Sequence, residues 1–144
     1  MNYKRKILFI CHGNICRSPM AEFVMKSLTN DYYIESAATT TEEIGNPIYP
    51  PAKEQLIKHK ITGFNDKTAR KVTIDDYEKF DYLIIMDEEN RHGLKRIIND
   101  DNDNKIRKLL DKDISDPWYT RDFDLCFDEI YRGCIELLKS FEEK

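Results

Sequence analysis

Cys11 and Arg17 enclose five residues, Ser18 and Pro19 follow, and the stretch begins directly after the apolar run Ile7-Leu8-Phe9-Ile10. A short apolar run that stops at Gly13-Asn14 and resumes as Ser18-Pro19-Met20-Ala21-Glu22-Phe23 reads as strand, loop, helix. The loop therefore lies at a helix N-terminus, where unpaired backbone N–H groups and the helix dipole favour an anion. A cysteine in that field is expected to ionise more readily than a free thiol, because the thiolate is the form being stabilised. Arg17 adds a planar fork matched to two oxygens of a phosphate-like group. The chemistry implied is a thiolate nucleophile, Cys11, aimed at a phosphorus atom.

Each part of the loop also has a plainer reading. Gly13 and Asn14 both tolerate positive φ and could form an ordinary turn. Cys11 could be a buried strand-end residue. The conjunction of strand, Cys, Gly-Asn, Arg-Ser, Pro and helix favours the anion cradle. Metal binding is not expected: His12 adjoins Cys11, but Cys11 and Cys16 lack Cys-x2-Cys spacing and no second ligand pair appears. A nucleotide P-loop is excluded because no Gly-Lys-Ser/Thr follows the turn.

A thiolate that attacks a phosphate monoester must expel an oxyanion, so the site needs an acid. Asp116, in Asp116-Pro117-Trp118-Tyr119, is the candidate. Pro117 disfavours helix at Asp116 and stiffens the turn. Trp118 and Tyr119 are expected to flank an aromatic leaving group and to desolvate the carboxyl, which raises a carboxyl pKa. The plainer reading is that Asp116 or Asp122 caps the last helix.

The elements that must position these groups alternate. Strands are expected near 6–11, 31–37, 81–86 and 106–110, and helices near 18–30, 51–60, 88–99 and 121–143. The last helix carries Phe123, Phe127, Ile130, Cys134, Leu137 and Phe141 at three- and four-residue intervals, a core stripe. The acidic tract 99–104 lacks the Gly and Glu of a calcium loop and reads as a solvated turn. Alternating strands and helices imply an α/β fold, a parallel sheet with helices on both faces, whose ligands collect beyond the carboxyl ends of the strands.

At 144 residues the chain is expected to form one domain over 1–144, long enough for a real core. A net charge of −4 argues against nucleic-acid or anionic-membrane partners, so any basic pocket must be local. The run after Met1–Lys6 is too short for a signal peptide, and no segment could span a bilayer. The four cysteines read as thiols, as expected in the cytoplasm. Cys126 and Cys134, roughly 12 Å apart along one helix, are too distant for a bridge and should lie in the core. Cys11 and Cys16 share a tight loop, which leaves a reversible disulfide under oxidant open.

Phe9–Glu22, Glu35–Thr39, Ala69-Arg70, Phe80–Asp87 with Asn90, and Asp116-Pro117 together resemble the low-molecular-weight protein tyrosine phosphatases, and the likeness runs over nearly the whole chain. The resemblance implies a four-stranded, parallel, twisted sheet, with a phosphate-binding loop between strand 1 and helix 1. It also implies a two-step hydrolysis of protein phosphotyrosine through a phosphocysteine, with no metal or cofactor. By position, Cys11 would be the nucleophile, Arg17 would bind phosphate and Asp116 would be the acid. The amides of His12, Gly13, Asn14, Ile15, Cys16 and Arg17 would hold phosphate oxygens. Asn14 and Ser18 would organise the loop, the Ser18 hydroxyl would stabilise the thiolate, and Ser36 would extend the network.

Substrates would be phosphotyrosine proteins, a tyrosine kinase among them, met by a cytoplasmic monomer. Three departures stand out: Glu42 where the family often has an aromatic pocket wall, Ala38 where Gly is usual, and Lys67 in place of a His of the outer network. Glu42 at the rim would disfavour acidic peptides, and Trp118 and Tyr119 remain as walls. Two related activities share the loop. Protein-arginine phosphatases carry Thr where this chain has Ile15, and arsenate reductases need relay cysteines that 82–95 lacks.

Overall fold

The computed structural model describes residues 2–142. β1 (Arg5–Cys11) is the hub of the sheet because Ile7 to Cys11 are all apolar and all buried. Side chains alternate across a strand, so Ile7, Phe9 and Cys11 enter one core while Leu8 and Ile10 enter the other. A strand covered on both faces reads as such a continuous run. β2 (Tyr32–Ala38) and β3 (Tyr82–Ile85) flank β1 in parallel, and β4 (Ile106–Lys108) completes the order β2-β1-β3-β4.

The first core is closed by α1 (Arg17–Leu28), α2 (Pro50–Lys58) and α6 (Phe123–Glu142), through Met20, Val24, Leu56, Phe127 and Ile130. The second is closed by α3 (Ile74–Lys79) and α4 (Glu88–Lys95), through Tyr77, Phe80 and Leu94. The fold is thus the α/β architecture expected, with four parallel strands. Among the described residues no helix is long and apolar enough to cross a membrane.

Several boundaries differ from the sequence reading. The helix expected near 88–99 ends at Lys95 and gives way to turns, and the fourth strand stops at Lys108 instead of Leu110. Residues 74–79 form a helix that apolar periodicity does not announce; a capping box supplies it, Thr73 pairing with the Asp76 backbone while Asp76 accepts from the Thr73 N–H. The Asp-Pro-Trp-Tyr segment is a one-turn helix, α5 (Pro117–Thr120), instead of an open loop. The closing helix begins at Phe123, and residue 143 of its expected span lies outside the described residues. Asp122 accepts from the Leu125 N–H at 3.0 Å, and so caps it. All four cysteines are buried free thiols.

α6 meets the end of β4 at a glycine. A Cβ built on buried Gly133 would stand 2.5 Å from Leu109 Cγ, inside contact distance. Gly133→Ala gains up to about 1 kcal/mol of helix propensity. Overpacking in a filled core costs about 1–3 kcal/mol. A net loss of about 1–2 kcal/mol is therefore expected, read as a lower midpoint of urea unfolding. An unchanged midpoint would mean that Leu109 can swing away freely.

Candidate active site

In the order β2-β1-β3 the chain reverses direction of growth between β1 and β3, and their carboxyl ends open the crevice where such sheets bind ligands. Cys11 ends β1, and Met86-Asp87 follows β3. The loop from His12 to Cys16 fills this crevice and is tied to the surrounding backbone through its carbonyls. Thr39, Thr40, Tyr49 and Met20 donate their N–H groups to the carbonyls of Cys11, His12, Ile15 and Cys16, at 2.9–3.3 Å. The N–H groups of Gly13, Ile15 and Cys16 have no partner of this kind among the described residues. Within this loop Asn14 alone takes the left-handed conformation, with φ 59°, so that one residue carries the turn which Gly13 could equally have supplied.

Cys11 Sγ receives the Asn14 N–H at 3.3 Å and the Ser18 N–H at 3.4 Å, and lies 3.0 Å from Ser18 Oγ. The Asn14 amide fixes the direction of that last bond. Its Oδ1 accepts from the Arg70 N–H at 3.2 Å, so its Nδ2 must face Ser18 Oγ (2.7 Å) and Ser36 Oγ (2.9 Å). With Asn14 donating to it, the Ser18 hydroxyl has its own proton free for the sulfur. Ser36 in turn donates to Glu22 Oε1 at 2.6 Å, and Glu22 Oε2 accepts from Lys26 at 2.6 Å. Lys67 donates to the Ser36 carbonyl at 2.9 Å and stands 3.5 Å from Glu22 Oε1. Burial draws the Lys67 ammonium below its ordinary pKa, and Glu22 offsets only part of that.

Arg17 is 2% exposed and belongs to the first turn of α1. Nη1 donates to Asp87 Oδ2 at 2.6 Å and to the Ile114 carbonyl at 2.8 Å, while Nη2 lies 3.5 Å from Asp116 Oδ2. Burial works against its charge, but the sulfur of Cys11, then Asp87 and Asp116, more than offset this and hold it above its ordinary value. Both carboxylates are helix caps with one oxygen to spare. Asp87 Oδ1 accepts from the Asn90 N–H at 2.8 Å and starts α4. Asp116 Oδ1 accepts from the Trp118 N–H at 3.0 Å and starts α5. Capping and pocket contact thus coexist in Asp116.

A cavity of about 100 Å³ opens over the sulfur. Of the candidate residues, Cys11, His12, Gly13, Ile15, Cys16, Arg17, Glu42, Asp116, Trp118 and Tyr119 line it. Asn14, Ser18 and Ser36 stand behind it, buried. Trp118 and Tyr119 are 45% and 78% exposed, so they form an open aromatic lip. Trp118 rests on Tyr49 with ring centroids 4.9 Å apart, and Arg121 donates to the Tyr49 hydroxyl at 3.1 Å. Glu42 is bonded to His12 at 3.0 Å. Three residues absent from the sequence-based set complete the site: Asp87, Glu22 and Glu43, which also lines the cavity. Asp87 had a signal in its capping-box spacing to Asn90; Glu43 had none.

A family model described as low molecular weight phosphotyrosine protein phosphatase matches residues 6–144. The chain belongs to this family. A chicken low molecular weight phosphotyrosine protein phosphatase is 42% identical over 97% of this chain and 95% of its own length. The crystal structure of the low molecular weight protein tyrosine phosphatase from Streptococcus pyogenes superposes with a TM-score of 0.91 at 40% identity, covering 94% of this chain and 92% of that one. A Drosophila arginine phosphatase superposes with a TM-score of 0.84 at 27% identity, over 94% and 97% of the two chains. The fold of this low molecular weight phosphatase is therefore also that of a protein named for another phosphoryl chemistry, and the cavity lining bears on which substrate enters.

Proposed function

We propose that this protein-tyrosine phosphatase hydrolyses phosphotyrosine in proteins through a phosphocysteine on Cys11. The observation that carries the mechanism is the convergence of three donors on Cys11 Sγ in a cavity that Arg17 and Asp116 also line. The thiolate attacks phosphorus and the bond from phosphorus to the phenol oxygen breaks. The departing electron pair takes the proton of Asp116. Water then attacks the phosphocysteine, gives a proton to the Asp116 carboxylate, and the sulfur leaves as a thiolate again. The incoming dianion takes over Arg17 Nη2 and stands beside Asp116, and a proton on that carboxyl relieves the repulsion. Arg17 and the free loop N–H groups meet the charge on the equatorial oxygens, so the scheme needs no metal.

Residues 1–144 in this reading form one catalytic domain that works as a monomer in the cytoplasm. Phenol esters are favoured over phosphoarginine by the apolar Ile15 in the lining and the Trp118 lip. Phosphotyrosine peptides should therefore turn over, while matched phosphoarginine peptides should not; the reverse order would assign the rival chemistry.

The acid is tested by Asp116→Asn. Turnover should fall roughly 10²–10⁴-fold, the range of general acid–base catalysis. The loss should grow as the leaving group becomes more basic, from para-nitrophenyl phosphate to phenyl phosphate. An equal loss on both substrates would remove Asp116 from the proton-transfer step.

A further inference from the structure

Glu43 is a half-buried carboxylate in the wall of a cavity built for an anion. A Cβ placed on Gly13 would lie 3.4 Å from Glu43 Cγ, so the side chain packs against the phosphate-holding loop itself. Its hydrogen-bond partner is neutral: Asn46 Nδ2 donates to Oε1 at 2.9 Å. No ion pair to Glu43 is present among the described residues, whereas the neighbouring Glu42 is bonded to His12, and Glu89 stands 3.5 Å from the other ring nitrogen of His12. Arg121 does not line the cavity and donates to the Tyr49 hydroxyl and the Trp118 carbonyl. The mouth is therefore lined by two carboxylates, Glu42 and Glu43, together with the aromatic Trp118 and Tyr119.

An uncompensated carboxylate beside a phosphate site repels the ligand the site exists to bind. A substrate that brings a cation next to its phosphotyrosine turns that repulsion into attraction. We propose that Glu43, with Glu42 beside it, is a specificity-determining residue that selects phosphotyrosine flanked by Lys or Arg. This rests on the phosphotyrosine reading above and narrows its substrate class. The selectivity is an exchange in which Glu43 weakens binding of every bare phosphate and restores it for basic sequences alone. Opposite charges near a surface contribute about two- to fivefold per pair, and a like charge opposes by a similar factor.

The test compares kcat/KM for three phosphotyrosine peptides that differ only in flanking residues: Lys/Arg, Gln, and Asp/Glu. At low salt the wild type should favour the basic over the acidic peptide about tenfold. Raising the ionic strength to about 0.5 M should erase most of this, since the screening length then falls to a few ångströms. Glu43→Gln should reduce the ratio to about twofold and should also tighten competitive inhibition by inorganic phosphate about two- to fivefold. A merely structural role would not improve phosphate binding.

Equal rates on the three peptides, a salt-independent ratio, or unchanged phosphate inhibition in Glu43→Gln would each overturn the inference. Should that variant fail to fold, the salt series on the wild type decides alone. Hydrolysis of para-nitrophenyl phosphate by the wild type separates the two levels. Its failure sinks the phosphatase reading, and its success with indifferent peptides sinks only the role of Glu43.

Discussion

Cys11→Ser should reduce hydrolysis of para-nitrophenyl phosphate on the order of 10⁵–10⁶-fold, the size of loss that follows removal of a covalent nucleophile. The donors that surround Sγ are arranged for an anion. The Asn14 and Ser18 N–H groups point at it from 3.3 and 3.4 Å, and the Ser18 hydroxyl has its proton available at 3.0 Å. A serine hydroxyl at this position stays neutral and brings a proton of its own, so it both fails as a nucleophile and competes with Ser18 for the role of donor. Arg17 and the free loop N–H groups are untouched by the change, so a phosphotyrosine peptide should still bind and remain bound unconverted.

Alkylation gives an independent reading of the same sulfur. Burial pushes the Cys16 and Cys134 thiols well above their ordinary range and that of Cys126 up to about 12, which leaves them unreactive near neutral pH. Iodoacetate at pH 7 should therefore modify Cys11 first, inorganic phosphate should protect it, and Cys11→Ser should take up no label. Sustained turnover by Cys11→Ser, or first labelling at another cysteine, would rule out the phosphocysteine.

What the sequence made legible here was local. Cys11, Asn14, Arg17 and Ser18 lie within eight consecutive residues, and a strand followed by a helix N-terminus is enough to bring them around one anion. Asp116 could be read because Pro117 and Trp118 mark a rigid turn, though the turn is a capped helix and not a loop. Lys67 could be placed in the outer network by resemblance, and its ammonium does reach the Ser36 carbonyl. The remaining parts come from register. Asp87 faces Arg17 only because β3 pairs beside β1, Ile10 opposite Ile85, which no local pattern specifies. Glu22 is an acidic residue on a buried helix face, and its long-range partners, Ser36 from β2 and Lys67, reach it only through the tertiary fold. Glu43 lies in an irregular stretch whose path is set by long-range hydrogen bonds, such as that from the Gly45 N–H to the Ala69 carbonyl.

Arg17→Lys should cost roughly 10³–10⁵-fold in turnover, the range found when an arginine is withdrawn from a phosphoryl transition state. The geometry explains why a lysine cannot substitute. Both protons of Nη1 are committed, one to Asp87 at 2.6 Å and one to the Ile114 carbonyl at 2.8 Å. This anchor leaves the edge formed by Nε and Nη2 for the substrate, Nη2 being held only by its 3.5 Å contact to Asp116 Oδ2, and that edge is the fork that can take two phosphate oxygens at once. A lysine offers one ammonium for both tasks: satisfying Asp87 takes it from the phosphate, and reaching the phosphate leaves Asp87 unpaired. Lysine is the informative replacement, because alanine would strand the largely buried Asp87 charge and cost about 3–5 kcal/mol of stability.

Asp87→Asn isolates the anchor from the fork. It keeps the shape, the guanidinium and, with its single oxygen on the Asn90 N–H, the cap on α4, but it puts an NH2 donor where Arg17 Nη1 needs an acceptor, so the bond that orients Arg17 is lost. Its loss in turnover should be far smaller than that of Arg17→Lys and should be accompanied by weaker phosphate inhibition. If Arg17→Lys folds with an unchanged thermal midpoint and turns over like the wild type, two-oxygen binding by Arg17 is excluded. If Asp87→Asn loses as much as Arg17→Lys, the carboxylate has a role in the reaction beyond holding the guanidinium in place.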